Sequence, residues 1–255
     1  MNRKLSDYKR LFTFGCSMTR YRWPTWADIL SKEIPNFYNY GKSGGGNLFI
    51  SNSIVEANMV HKFNEDDLIM VMWSSIHRED RYKENEKWIT PGNIYTQGWF
   101  DTDWVAKWAD DKFHLLRDLG LIELSRKYLS TLPCESHMLT MCEISAPPPG
   151  GDKANVYQEI ESAYKETIES LHPDICKTVY NGRWPSTPIS GHGQTADYHP
   201  TPAGHLKYLE TIFPNMEVTE NMKNFTDEFE GYVQKFKVFS RLEQYWKEGG
   251  YWSRL

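Results

Sequence analysis

Asp67-Leu68-Ile69-Met70-Val71-Met72-Trp73 is an acid followed by an unbroken apolar run. A strand with one wet face alternates apolar and polar residues. A run without alternation predicts a strand covered on both faces, the situation inside a parallel sheet. Upstream, Leu11 to Phe14 is a short apolar run stopped by Gly15, which suits a second buried strand, and Phe37-Tyr38-Asn39-Tyr40 can form a third strand, stopped by Gly41. Downstream, His137-Met138-Leu139-Thr140-Met141-Cys142 supplies a fourth. Helical patterns separate them. Pro24 to Leu30 carries a proline near its first turn, Asn47 to His61 repeats through Leu48, Ile54, Val55 and Met59, and Asp111 to Leu132 and Asn155 to Leu171 follow. Strand and helix in alternation predict an α/β fold: a flavodoxin-like three-layer α/β/α sandwich with a central parallel sheet.

Two segments break the rhythm. Residues 76–111 contain charges, Pro91, Gly92, Gly98 and the crowded Trp88, Trp99, Trp104 and Trp108, and they read as an insertion over the sheet edge. From Asn221 to Lys247, Phe225, Phe229, Tyr232, Val233, Phe236, Phe239, Leu242 and Tyr245 recur at threes and fours. The expected organisation is therefore an α/β domain over 1–215 and a C-terminal helical extension over 216–255. The apolar stripe of the extension packs on its own domain, forms a homo-oligomer or serves a binding role; the pattern leaves all three open.

The chain has 255 residues, suited to one core with elaborations, and a formal charge of −5. That balance argues against coating nucleic acid or an anionic membrane. The polar start, Met1 to Arg10, lacks a secretory apolar segment and no later run reaches bilayer length, so a soluble, cytoplasmic protein is expected. Cys16, Cys134, Cys142 and Cys176 form no paired motif and read as reduced, mostly packed thiols.

The chemistry-bearing residues fall after strands. Leu11-Phe12-Thr13-Phe14-Gly15-Cys16-Ser17 is a strand that stops at a glycine and offers a hydroxyl, while Asp197-Tyr198-His199-Pro200-Thr201-Pro202 places a carboxylate and an imidazole before a helix. These are the parts of an activated serine. Open parallel sheets bind ligands beyond the carboxyl ends of their strands, where Ser17, Gly44, Asn47, Ser74, Ser75, Arg78 and the Asp197/His199 loop all fall. Cys16 is a competing thiol nucleophile, though adjacent strand-end residues point to opposite faces, which favours a packed role. Gly44-Gly45-Gly46 follows Lys42-Ser43 instead of preceding it, so the phosphate-loop pattern is absent. His192, His199 and His205 lack the spacing of a helical metal pair, and no metal is assigned. The tryptophans, with Tyr95 and Phe100, suit either stacking on a sugar or acyl group or the core of a small lid.

The order of these blocks resembles the SGNH, or GDSL-type, family of serine hydrolases. Gly15-Cys16-Ser17 is similar to its first block, normally Gly-Asp-Ser. Asn39-Tyr40-Gly41-Lys42-Ser43-Gly44 resembles its second. Trp73-Ser74-Ser75-Ile76-His77-Arg78 stands where the family has Gly-x-Asn-Asp, and Asp197-x-His199-Pro200 stands for Asp-x-x-His-Pro. The first, third and last blocks are thus altered. Arg78, just past the third strand, is a candidate to meet an anionic substrate group, and Asn47 stands among the candidate substrate-binding residues. The resemblance implies Ser17 as nucleophile, His199 as base and Asp197 as its orienting carboxylate, with Gly44 and Ser75, or Ser74, completing an oxyanion hole. It implies an esterase without cofactor, acting on a small ester such as a carbohydrate O-acetyl group. The altered blocks leave open a non-catalytic glycan-binding or assembly protein, and an acyltransferase with the same triad; a nucleotide-binding flavodoxin-like protein ranks last.

Overall fold

A computed structural model describes residues 1, 3–83, 87–95, 98–144, 154–180 and 199–235. After a short 3₁₀ turn at Leu5–Asp7 the elements run β1 (Arg10–Gly15), α1 (Trp26–Leu30), β2 (Asn36–Gly41), α2 (Asn47–His61), β3 (Asp67–Trp73), β4 (Arg81–Lys83), β5 (Lys87–Ile89), α3 (Thr102–Trp108), α4 (Asp111–Ser130), β6 (Glu135–Thr140), α5 (Ala154–Ala163), α6 (Lys165–Glu169), α7 (Ile175–Tyr180), α8 (Pro202–Ile212) and α9 (Glu220–Lys235). The central sheet is parallel, in the order β2-β1-β3-β6.

β3 is buried along its whole length. Leu68, Met70 and Met72 face one layer, with Ile29 and Leu30 of α1, Ile175 of α7, Tyr208 and Leu209 of α8 and Met222 of α9. Ile69, Val71 and Trp73 face the other, with Ile50, Ile54 and Ala57 of α2, Leu115, Leu119 and Ile122 of α4 and Tyr157 of α5. The expected sandwich is therefore present, with the period-2 side-chain alternation of one strand feeding two cores.

Several boundaries differ from expectation for local reasons. α1 starts after Pro24, because Thr25 caps it: its Oγ1 accepts from Ala27 N at 3.3 Å, and Asp28 Oδ2 accepts from Thr25 N at 2.8 Å. The helix predicted over 155–171 is two helices meeting at Tyr164, whose backbone (φ −106°, ψ 21°) leaves the helical region. The insertion holds the β4–β5 hairpin and α3, which has no buried residue. Its tryptophans do not share one core. Trp88 packs edge-on against Phe49 at 5.8 Å, whereas Trp99 and Trp108 are 67% and 59% exposed. The helical extension lies on its own domain through Met222, Thr226, Phe229 and Val233, and Lys32 sits 3.8 Å from the Phe225 ring centre; residues 236–255 are outside the described set.

Burial pushes the Asp28 carboxyl up to about 6, against the lowering effect of its hydrogen bonds from Thr25. A carboxyl whose folded pKa is raised stabilises the fold while protonated, and that contribution disappears as pH rises from about 4 through about 6. Urea unfolding of the wild type and Asp28→Asn at pH 4 and pH 7 is expected to show their stability difference shifting by on the order of 2 kcal/mol, with the wild type relatively more stable at the acid end.

Candidate active site

β1 ends at Gly15, where the chain must turn sharply. A Cβ there would lie 2.1 Å from Thr19 Oγ1 and 3.0 Å from Met72 O, and φ is +157°, so only glycine fits. The next residues close a tight turn, Thr19 N donating to Cys16 O at 2.9 Å. Cys16 points inward, fully buried with Sγ 3.6 Å from Met141 Sδ, so Ser17 is the residue presented at the rim.

His199 meets it from the far end of the chain, with Nε2 2.8 Å from Ser17 Oγ. Two aromatic residues that the sequence reading did not single out hold this junction. The Tyr21 ring lies flat on the His199 imidazole, centroids 3.7 Å apart and planes 11° from parallel, and Trp23 packs edge-on against Tyr21 at 4.7 Å. Trp23 Nε1 donates to Pro200 O at 2.7 Å, which fixes the backbone just past the histidine. The signal available in the sequence was the density of aromatics four to six residues after the serine. Thr201 then caps α8, Oγ1 accepting from Gly204 N, with Pro202 at the first turn.

The second block is tied to the first by Lys42 N donating to Gly15 O at 3.0 Å. Gly44 has φ +74° and touches the insertion so closely that a Cβ would lie 2.2 Å from Thr90 O. Among the described residues, neither the Ser17 nor the Gly44 N–H donates a hydrogen bond to a protein acceptor. Gly46 is the N-cap of α2 and has no side chain to satisfy the helix's first N–H groups. The insertion supplies the missing cap: Asp80 Oδ1 accepts from Gly46 N at 2.8 Å and Oδ2 from Phe49 N at 2.9 Å.

The residues after β3 are held from behind. Asn47 brackets Ser74 on both sides, Nδ2 donating to Ser74 O at 3.1 Å and Oδ1 accepting from Ser74 N at 2.7 Å, and Nδ2 also donates to Asp118 Oδ2 at 2.7 Å. Arg117 joins Asp118 to Glu79, at 2.6 Å in each case. Burial raises the Asp118 carboxyl to about 6 despite Arg117. Asn47 is thus engaged with the main chain of Ser74, and Ser74 is fully buried. Ser75 is half-buried beside the Cys142 thiol, its Oγ accepting from His77 N at 3.3 Å. Burial pushes the Cys142 thiol up to about 12, so it stays protonated. Arg78 donates to Gly45 O at 2.9 Å.

The structure therefore brings Ser17, His199, Gly44 and Arg78 to the loops at one end of the sheet and sets Asn47 and Ser74 behind them. Asp197 and His192 lie outside the described residues. His205 is buried in α8 with neither ring nitrogen hydrogen-bonded among the described residues, and burial pushes its pKa down to about 3, leaving it neutral. No group of metal-ligating side chains occurs among the described residues, and none of their helices is long and apolar enough to cross a membrane.

No protein-family model and no curated protein matches the sequence. The structure is similar to the crystal structure of a member of the lipolytic protein G-D-S-L family from Veillonella parvula DSM 2008, at 18% identity over 81% of this chain and 99% of that one, TM-score 0.42. It is also similar to a GDSL-like lipase from Bacteroides thetaiotaomicron VPI-5482, at 13% identity over 81% and 86%, TM-score 0.43. Phospholipase A1 from Streptomyces albidoflavus NA297 gives 11% identity over 82% and 100%, TM-score 0.41. Its structural neighbours include members of the GDSL lipolytic family.

Stacking at 3.7 Å places the His199 ring protons in the shielding cone of Tyr21. In proton NMR, Tyr21→Leu is expected to move the His199 imidazole resonances downfield, and Tyr21→Phe, which keeps the ring, to leave them near their wild-type positions.

Proposed function

We propose that this protein is a serine esterase of the SGNH type. The observation that carries the reading is the 2.8 Å contact between His199 Nε2 and Ser17 Oγ, made across 182 positions of chain. A serine hydroxyl is a poor nucleophile until a base takes its proton, and a histidine within hydrogen-bond reach is the usual base near neutral pH.

In this reading Ser17 Oγ attacks the ester carbonyl while His199 Nε2 takes the hydroxyl proton. The same nitrogen then returns the proton to the leaving alcohol. Water, activated by His199, hydrolyses the acyl-serine and regenerates the hydroxyl. The N–H groups of Ser17 and Gly44 would receive the oxyanion, helped by Ser75, and Asp197 would orient the imidazole. Tyr21 and Trp23 support the arrangement by fixing the ring plane and the backbone beside it. The preferred substrate class is a small ester of the carbohydrate O-acetyl kind; the exposed Trp99 and Trp108 on the insertion provide faces on which a sugar ring stacks.

Labelling of the purified protein with a neutral fluorophosphonate, read by intact mass and peptide mapping, tests the reading. One adduct on Ser17 is expected. It should disappear in Ser17→Ala and slow by about 10²-fold or more in His199→Ala, which lacks the general base. Folded protein that takes up no probe at Ser17 rules the esterase out.

A further inference from the structure

The loops around Ser17 carry cations that make no ion pair among the described residues. Elsewhere among the described residues the arginines of the frame are tied to carboxylates, Arg10 to Asp67, Arg117 to Asp118 and Glu79, and Arg126 to Glu123, as is Lys177 to Glu143. Arg20, Lys42 and Arg78, one from the loop after each of β1, β2 and β3, make no ion pair among the described residues. All three are half-buried, where an unpaired charge costs more than it does in open water.

Arg78 is tied to the loop after β2. Its Nη1 donates to Gly45 O at 2.9 Å, one residue past Gly44, and its Nη2 lies 3.7 Å from Met141 Sδ, the same sulfur that Cys16 touches from the residue before the nucleophile. A neutral carbonyl and a thioether compensate little of a guanidinium's charge, and among the described residues most of its N–H donors have no acceptor. Asp80, whose carboxylate feels Arg78, directs both oxygens at the N–H groups of Gly46 and Phe49. Arg20 is held at its backbone by Cys16 O, and its Cβ side abuts Gly41, with no hydrogen bond from its guanidinium among the described residues. Lys42 reaches the Trp88 carbonyl, again a neutral partner. A cluster of charges of one sign concentrates oppositely charged ligands.

We propose that this site selects esters bearing an anionic oxygen group, a carboxylate, phosphate or sulfate, which the Arg78 guanidinium receives while Arg20 and Lys42 set the surrounding positive field. The proposal rests on the esterase reading for the word ester; the anion preference itself does not depend on turnover. It adds a charge to the substrate class named above, so that an acylated acidic sugar satisfies both. Arg78 is here a specificity residue, matched to the planar, two-pronged geometry of a carboxylate or the oxygens of a phosphate or sulfate.

The test uses matched pairs that differ by one negative charge: para-acetoxybenzoate against its methyl ester, with the charge on the alcohol side, and phenyl hemisuccinate against phenyl butyrate, with the charge on the acyl side. Binding is measured by NMR titration in Ser17→Ala, which turns nothing over. In at least one pair the anionic member is expected to bind about tenfold tighter, the scale of one charge-assisted hydrogen bond. Added salt should narrow the gap. Arg78→Gln in the same background should bring the ratio to about one, and Arg78→Lys should restore part of it; a ratio is compared so that a general loss of affinity does not imitate the effect. Equal binding within both pairs, no binding of either member at millimolar concentration, or a preference that survives Arg78→Gln overturns the proposal. If the preference is found but the wild type takes up no fluorophosphonate, the anion site stands and the esterase reading falls.

Discussion

The constraint on which this molecule depends is that β3 has no wet face. Every residue from Asp67 to Trp73 is buried, so each side of the strand needs a helical layer. Parallel neighbours require crossovers long enough to hold a helix. Crossovers of that kind bring the strands' carboxyl ends to one edge, and the loops there are the loops that carry Ser17, Gly44 and Arg78. The convergence of separated sequence blocks is a consequence of covering one strand twice.

Position within that edge is set by smaller contacts. The turn after β1 closes because Gly15 has no Cβ, and the second block docks on it through the Lys42 amide. The insertion then replaces a cap that α2 cannot provide for itself: Gly46 starts the helix without a side chain, and Asp80 donates none and accepts twice. Burial raises the Asp80 pKa while those two N–H groups lower it, the opposition expected when a carboxylate replaces water at a helix N-terminus. The segment that looks like decoration in the sequence is thus part of the frame of the site.

Much of this was legible in the residues. Apolar runs located β1 and β3, because burial on both faces leaves a local trace in the composition of a strand, while the half-buried edge strand β2 was marked by its aromatics and the glycine that ends it. Ser17 and His199 were legible for a related reason: a hydroxyl just past a strand-end glycine and an imidazole before a Pro-initiated helix are local patterns. What could not be read was any relation between distant residues. Asn47 looked like a rim residue from its place after the glycines, yet its amide brackets the main chain of Ser74, a contact fixed by how α2 lies on β3. Tyr21 and Trp23 carry no motif; their roles appear only when the chain's far end arrives. His205 carries no local sign of its burial, yet α8 turns it into the core.

The span between Ser17 and His199 has a consequence for the life of the chain. The serine leaves the ribosome early, just past a strand whose parallel neighbours follow within the first half of the polypeptide, but the imidazole it meets comes 182 positions after it, and the Pro200 carbonyl that Trp23 grips comes 177 positions after Trp23. Contacts of such separation form late, after the loops between them have closed. A nascent or prematurely ended chain therefore lacks the Ser17–His199 contact, and residues 199 and 200 complete that junction when they arrive.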